Sequence, residues 1–202
     1  MPEATPKLVL ASRSNARAAL LSGAGLNFSI DPASVDEGGV KTSLKTDGAD
    51  AADAARVLAE MKANRVATRH GNALVVGADQ ILECEDRWFD KPGSAGEARR
   101  HLEALRGRRH RLLSACCVVV NGAVIWRAED VALMTMRRFS DCFLDQYLET
   151  VGEEAWESVG GYRLEGLGVQ LFSRIEGDYF TVLGLPLLQL LDFLRGRGVV
   201  SE

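Results

Sequence analysis

The sequence has no excess of positive charge. Its 24 Lys and Arg residues against 28 Asp and Glu residues give a formal net charge of -4 at pH 7. Proteins that coat nucleic acid or an anionic membrane usually carry a basic surplus, so this balance argues against both classes of partner. Any anionic ligand must therefore be bound by a local cluster of cations.

The sequence also has no apolar run near the roughly 20 residues that span a bilayer. Its N-terminus does not combine a basic region, an apolar stretch and a small-residue cleavage site, so we expect a cytoplasmic protein with no membrane partner. Hydrophobic residues make up 47% of the 202 positions, which is enough for a substantial core. We predict a single domain over residues 1–202 with two soft sub-lobes.

Regularly spaced metal-binding residues are missing as well. The four cysteines show no CxxC spacing, and adjacent Cys116 and Cys117 would point to opposite faces of a strand. We interpret all four as reduced thiols that pack as small apolar residues. The three histidines, His70, His101 and His110, are too scattered to predict a zinc site.

The order of strand-like and helix-like segments indicates an α/β protein. Residues 8–11 form a short apolar strand that precedes a helix, and an Ala-rich helix is expected to stop near Gly71. The run ALVVGA at residues 73–78 is apolar throughout, as in a strand covered on both faces of a parallel or mixed sheet. Asp79 is expected at the carboxyl end of that strand, where ligands of α/β sheets gather.

Local signals predict several further elements. Ser94 and Glu97 have the spacing of a capping box, which predicts a helix start. Asn121-Gly122 joins two strand-like runs and predicts a hairpin. Ser140 is expected to cap another helix, the glycine-rich residues 160–186 look strand-like, and LPLLQLLDFLRGRG predicts a terminal helix.

A polar cluster follows the first strand: Ser12, Arg13, Ser14 and Arg17. Free backbone N–H groups and the helix dipole make such a turn receptive to phosphate, and a guanidinium adds a forked donor. The alternative is that Ser14 only caps the helix while both arginines are solvated.

Acids and lysines from separate segments form two further candidate clusters. Asp36 and Glu37 in a predicted loop, together with Asp79, could hold Mg²⁺ and leave positions for water and phosphates. Lys62 and Lys91 could neutralise phosphate charge, and Pro92 restrains the backbone of Lys91. The alternative is that the acids are surface or capping residues and that Lys62 lies on a wet helix face.

Two other features leave their interpretation open. The basic run RGRRHR at residues 106–111 predicts a solvated loop or a phosphate-steering patch before a strand. Tyr162, among glycines, could stack on a base or be an ordinary core aromatic.

These motifs, in this order, resemble the Maf family of nucleoside triphosphate pyrophosphatases. The likeness covers nearly the whole chain, from Leu8 to about Arg197. The motifs are LASRSNARAALL, VDE, LAEMKA, GADQ, KP, LRGRRH, GGYRLEG, EGDY and VLGLPL.

The resemblance implies a central mixed, twisted sheet flanked by helices, with two lobes around a cleft. It implies hydrolysis of the α–β phosphate bond of a nucleoside triphosphate to the monophosphate and pyrophosphate, with Mg²⁺ or Mn²⁺ as cofactor. A homodimer is also expected by resemblance. The implied roles are: phosphate contact by Ser12, Ser14 and Arg17; metal binding and orientation of water by Glu37 and Asp79; charge neutralisation by Lys62 and Lys91; and substrate contact by Gln80 and Glu165.

The chain departs from the family pattern where Asn15 and Ala16 replace Pro-Arg. Arg13 could supply the missing charge if the first turn continues helically. A second departure is Asp90 before Lys91, in place of the common glycine. GADQ with EGLG resembles the branch associated with 7-methyl-GTP more than the branch associated with dTTP and UTP.

Two alternatives to this enzyme remain open. The altered SRSNAR motif could belong to a nucleotide-sensing regulator of septum formation and cell division with weak or no catalysis. A related inosine triphosphate pyrophosphatase fits the motifs less well.

Overall fold

The computed structural model describes residues 6–201, and its strands form one mixed sheet. The order is β2-β1-β3-β5-β6-β7, with β4 paired to β3. Strand β1 runs parallel to β2 and β3, whereas the β3–β4 and β6–β7 pairs are antiparallel. The strands are β1 (Leu8–Leu10), β2 (Phe28–Ile30), β3 (Leu74–Cys84), β4 (Arg87–Phe89), β5 (Arg109–Val120), β6 (Ala123–Met136) and β7 (Phe172–Glu176).

Helices flank this sheet, which confirms the predicted α/β class. They are α1 (Asn15–Gly23), α2 (Glu37–Thr46), α3 (Ala51–Ala67), α4 (Ala95–Leu105), α5 (Asp141–Val151), α6 (Tyr179–Val182) and α7 (Leu187–Arg195). Three single 3₁₀ turns lie at Gly152–Trp156, Val159–Gly161 and Leu167–Leu171. Among residues 6–201, no helix is long and apolar enough to cross a membrane.

The chain forms two compact units. Unit 1 comprises residues 6–80, 114–130 and 179–201 of the described chain, and unit 2 comprises residues 81–113 and 131–178. The single domain over 1–202 stays a prediction, and residues 1–5 and 202 lie outside those described.

The core of unit 1 is built from alternate residues of its strands. Leu8, Leu10, Val76 and Ala78 belong to one buried cluster, because successive even positions of a strand share a face. Helix α7 covers this cluster with the stripe Leu187, Leu190 and Leu194. The predicted terminal helix is therefore confirmed.

The prediction that a strand ends at Asp79 is wrong. Strand β3 continues through Asp79 and Gln80 to Cys84. The parallel partner β1 pairs only as far as Val76, but buried Ile81 and Leu82 continue the strand, and β4 pairs with it from Leu82. The two polar residues therefore lie inside β3, beyond the part of it that pairs with β1.

The local signals for turns and caps are confirmed. The Ser94 side chain accepts a hydrogen bond from the backbone of Glu97 at 3.2 Å, and Ser140 caps α5 in the same way. Asn121 and Gly122 both have positive φ, 51° and 77°, as a two-residue hairpin turn requires. The strand-like expectation for residues 160–186 holds only for β7.

Two expectations for unit 2 are corrected by burial. The basic run is not a solvated loop throughout, because β5 begins at Arg109 and His110 is buried. Tyr162 is only 4% exposed, and its hydroxyl lies 2.8 Å from His110 Nε2. It is thus a core aromatic and does not offer a face for base stacking.

The buried His110 predicts a pH-dependent loss of stability. Burial lowers the pKa of His110 from 6.5 to about 4, so between these values the unfolded chain binds a proton that the folded chain excludes. Stability should therefore fall as pH drops through this window, by up to about 3 kcal/mol from this group.

Urea unfolding at several pH values would measure this effect in the wild type and in His110→Gln, which stays neutral. Between pH 6.5 and 4, the free energy of unfolding should depend less steeply on pH in the variant than in the wild type. Equal slopes would show that His110 does not carry the proton linkage.

Candidate active site

The first turn of α1 organises the predicted phosphate-binding segment. Ser14 is the helix cap, and its hydroxyl accepts from the backbone of Arg17 at 3.4 Å. Ser12 Oγ accepts from the backbone of Ser14 at 3.2 Å. The N–H groups of the first turn have no acceptor within the helix, so this end of α1 suits an anion.

Arg17 is buried in this site and is not the solvated residue of the alternative interpretation. Its Nε donates to the carbonyl of Gly184 at 2.8 Å, and its Nη1 donates to Ser12 Oγ at 3.2 Å. Burial lowers the pKa of Arg17, and attraction to Asp79, among other groups, partly offsets this. A guanidinium has five N–H groups, so donors remain for a ligand after both contacts are made.

Gly184 allows Arg17 to take this position. Its φ is +92°, and an added Cβ would lie 3.3 Å from Arg17 Nη2. Both its backbone conformation and its close approach to the guanidinium therefore favour glycine.

Gly184→Ala should lower the free energy of unfolding by about 1–2 kcal/mol because of the positive φ, and should also weaken anion binding by displacing Arg17. Calorimetric titration with inorganic pyrophosphate would measure the second effect. Gly198→Ala is the matched control, since Gly198 also has positive φ but no atom within 4 Å of an added Cβ. If both variants bind pyrophosphate equally, Gly184 does not position Arg17.

Lys62 joins the two predicted metal-binding acids. Its Nζ lies 2.8 Å from Glu37 Oε1 and 2.6 Å from Asp79 Oδ1. Both Lys62 and Asp79 are buried, at 7% and 4% exposure. The alternative that placed Lys62 on a wet helix face is therefore wrong.

The periodicity of α3 contains a signal for this burial that the sequence interpretation missed. Buried residues Leu58, Ala59, Ala63 and Val66 recur at helical spacing, and Lys62 lies on the same stripe. A lysine inside an apolar stripe needs a partner for its charge. Its position therefore indicates a buried acid on the facing element.

Gly77 brings α3 close enough for this contact. It lies two residues before Asp79 and hence on the same face of β3. An added Cβ would lie 2.2 Å from the Ala59 carbonyl oxygen and 2.7 Å from Ala63 Cβ. The helix and strand therefore pack through the smallest side chains at this point.

Gly77→Ala should push α3 away from β3 and lower the free energy of unfolding by about 1–3 kcal/mol, a typical cost of overpacking. Urea unfolding would measure the change. Gly23→Ala, where an added Cβ meets no atom within 4 Å, should have little effect. A Gly77→Ala protein as stable as the wild type would contradict the close packing.

Asp36 and Glu37 do not lie in a continuous loop as predicted. Asp36 caps α2 by accepting from the backbone of Gly39 at 3.1 Å, and Glu37 is the first helical residue. Burial opposes the ionisation of Glu37, but Lys62, Lys41 and Arg17 together lower its pKa. Glu37 is therefore an ionised, half-exposed carboxylate beside a buried one.

The acid pair fits a divalent cation. Asp79 Oδ2 is buried and has no hydrogen-bond partner among the described residues, so it is an unsatisfied acceptor. Residues 6–201 contain no group of three or more His, Cys, Asp or Glu that could hold a metal. One or two carboxylates suffice for Mg²⁺ when water and substrate phosphates fill the other positions.

Gln80 lies beside Asp79 in sequence but on the opposite face of β3. Its amide nitrogen donates to Ser114 Oγ and to the Thr181 carbonyl, both at 2.9 Å. Gln80 therefore contacts α6, while Asp79 contacts α3.

Three predicted site residues remain: Arg13, Lys91 and Glu165. Arg13 is exposed and precedes the helix, so the condition for its replacing the missing guanidinium is not met. Lys91 is exposed and belongs to unit 2, between β4 and α4. Glu165, also in unit 2, accepts a hydrogen bond from Arg163 at 3.1 Å.

Fold and site together define an α/β protein in which buried Lys62 contacts the half-exposed Glu37 and the buried Asp79, with Arg17 buried at the first turn of α1. The family described as Maf-like protein matches residues 7–197. The chain belongs to the Maf family.

Named relatives match almost the full length. The chain is 53% identical over 190 residues to a nucleoside triphosphate pyrophosphatase of Paramagnetospirillum magneticum, covering 94% of this chain and 98% of the relative. It is 50% identical over 196 residues to a 7-methyl-GTP pyrophosphatase of Rhizobium meliloti, covering 97% and 98%.

A solved structure gives a more distant likeness. The crystal structure of a nucleoside-triphosphatase, dITP/XTP pyrophosphatase, from Mycobacterium abscessus covers 96% of this chain and 95% of its own. The TM-score is 0.42 at 17% sequence identity.

Proposed function

We propose that this protein is a nucleoside triphosphate pyrophosphatase, a hydrolase that cleaves the α–β phosphate bond to give a nucleoside monophosphate and pyrophosphate. The observation that carries the proposal is the cluster in unit 1, where Lys62 contacts both Glu37 and Asp79 and these acids attract Arg17. The full-length relatives named as pyrophosphatases support the same reaction.

The cations of the cluster bind the triphosphate. Arg17 is held by Ser12 and Gly184, so its remaining N–H donors are oriented before the phosphates arrive. The hydroxyls of Ser12 and Ser14 and the N–H groups of the first turn of α1 add further donors. Charge that develops on the phosphate oxygens during cleavage is stabilised by these fixed groups.

The acids of the cluster hold the metal and the attacking water. Asp79 offers its unpartnered Oδ2, and Glu37 offers a half-exposed carboxylate. A bound Mg²⁺ or Mn²⁺ supplies charge neutralisation on the phosphates and lowers the pKa of a water molecule. One carboxylate of the pair would orient the attacking water and accept its proton, while Lys62 holds both acids in place through its contacts with them.

We extend the proposal to three further residues, for which the resemblance to the family implies contact with the substrate. Lys91 neutralises phosphate charge, and Gln80 and Glu165 contact the substrate. The base of the nucleotide is an ordinary or a modified one. The leading candidate substrate is 7-methyl-GTP, because relatives that are 50% and 48% identical to this chain are named 7-methyl-GTP pyrophosphatase. A cytoplasmic location and a homodimer stay predictions.

The test is pyrophosphate release from a panel of 7-methyl-GTP, GTP, dTTP, UTP, CTP and ITP with Mg²⁺ or Mn²⁺. The wild type should release pyrophosphate and a monophosphate, EDTA should abolish release, and Asp79→Asn should lower kcat by at least about 100-fold because it removes a charged metal ligand. Specificity constants would rank the bases.

Asp145→Asn is the matched control, because Asp145 is an exposed acid on α5. It should keep wild-type activity. A folded wild type that binds nucleotide but releases no pyrophosphate would contradict the proposal and favour a nucleotide-sensing regulator. A 7-methyl-GTP specificity constant no higher than that of the other nucleotides would contradict only the choice of base.

A further inference from the structure

The carboxamide of Gln80 is held in one orientation by three acceptors. Its Nε2 lies 2.9 Å from Ser114 Oγ, 2.9 Å from the Thr181 carbonyl and 3.1 Å from the Val182 carbonyl. Backbone carbonyls only accept hydrogen bonds, so the atom facing them must be the amide nitrogen. The amide cannot be flipped without placing Oε1 against two carbonyl oxygens.

Ser114 completes this arrangement. Its hydroxyl donates to the Thr181 carbonyl at 2.9 Å, which leaves its lone pairs to accept from Gln80. Ser114 is 1% exposed and Thr181 is fully buried. A third bond, from Thr181 Oγ1 to Asp130 Oδ2 at 2.7 Å, anchors the same turn.

The oxygen of the Gln80 carboxamide is left for a ligand. None of the described residues donates to Gln80 Oε1, and this atom is not among the buried atoms without partners, so it reaches solvent. A carboxamide oxygen is only an acceptor. Its partner must therefore be an N–H or O–H donor, which the phosphates of an ionised triphosphate do not provide.

We propose that Ser114 is a positioning residue that fixes the Gln80 carboxamide, so that Oε1 accepts a hydrogen bond from an N–H or O–H group on the nucleoside part of the substrate. This inference rests on the proposed function. It places Gln80 and its support on the opposite face of β3 from Asp79, so that adjacent residues serve the nucleoside and the metal respectively. Ser114 then affects which nucleoside is accepted and leaves phosphate binding unchanged.

The experiment compares nucleotide pairs that differ in one donor. GTP and ITP differ in an exocyclic amine, and GTP can be compared with its 2′-deoxy and 3′-deoxy forms for the ribose hydroxyls. Specificity constants and calorimetric affinities for each pair would be measured in wild type, Ser114→Ala, Gln80→Leu and the double variant. Ser173→Ala is the control, because Ser173 Oγ also donates to a backbone carbonyl, that of Thr135.

The wild type should prefer the donor-bearing member of at least one pair, and the pair identifies the base or the ribose as the source. Gln80→Leu should abolish that preference, and Ser114→Ala should reduce it about three- to ten-fold, as expected for one hydrogen bond. In the Gln80→Leu background Ser114→Ala should change nothing further. Affinity for inorganic pyrophosphate should be the same in wild type and Ser114→Ala.

A preference that survives Gln80→Leu would overturn the inference. So would an effect of Ser114→Ala that is equally large in the wild type and in Gln80→Leu, because it would indicate a structural role of Ser114 only. A wild type with no preference in any pair would also overturn it. Failure of the proposed function is a separate result, namely no pyrophosphate release from any nucleotide. In that case the calorimetric affinities still decide the inference.

Discussion

The contact of one buried ammonium with two carboxylates is the interaction on which the site of unit 1 depends. Without Lys62, the carboxylates of Glu37 and Asp79 would repel each other, and Asp79 would be an uncompensated charge in the interior. Removing one partner from a buried ion pair typically costs about 3–5 kcal/mol for this reason. The same ammonium therefore stabilises the packing of α3 on β3 and, together with Lys41 and Arg17, lowers the pKa of Glu37.

This contact requires a helix and a strand to approach more closely than ordinary side chains permit. Gly77 faces α3 at the point where Ala59 and Ala63 face the strand, so the lysine can reach Asp79 from a short distance. Small residues thus have a functional consequence, because they bring a long cationic side chain into contact with a buried acid. The Ala-rich composition of α3, which first indicates only good helix formation, also reflects this approach.

The parts of the structure that depend on neighbouring residues could be predicted from the sequence. Ser94 and Ser140 cap helices and Asn121-Gly122 forms a hairpin, because each signal acts over three or four positions. The Lys62–Asp79 and Gln80–Ser114 contacts join residues 17 and 34 positions apart, and no local pattern specifies which distant residue completes them. The sequence predicts a strand end at Asp79 for a related reason. The polar residues Asp79 and Gln80 interrupt the apolar run, but the pairing of β3 with later strands continues beyond them.

The cluster also carries a local imbalance that a ligand can relieve. Two cations and two acids make it nearly neutral, yet Asp79 Oδ2 has no partner within the described residues, and an unsatisfied buried acceptor costs roughly 1–3 kcal/mol. A divalent cation at this oxygen would remove that cost and leave a net positive site for phosphates. Under the proposed function, part of the affinity for a metal–nucleotide complex is then already present in the fold, because the protein holds this acceptor unsatisfied and fixed in position before the ligand arrives.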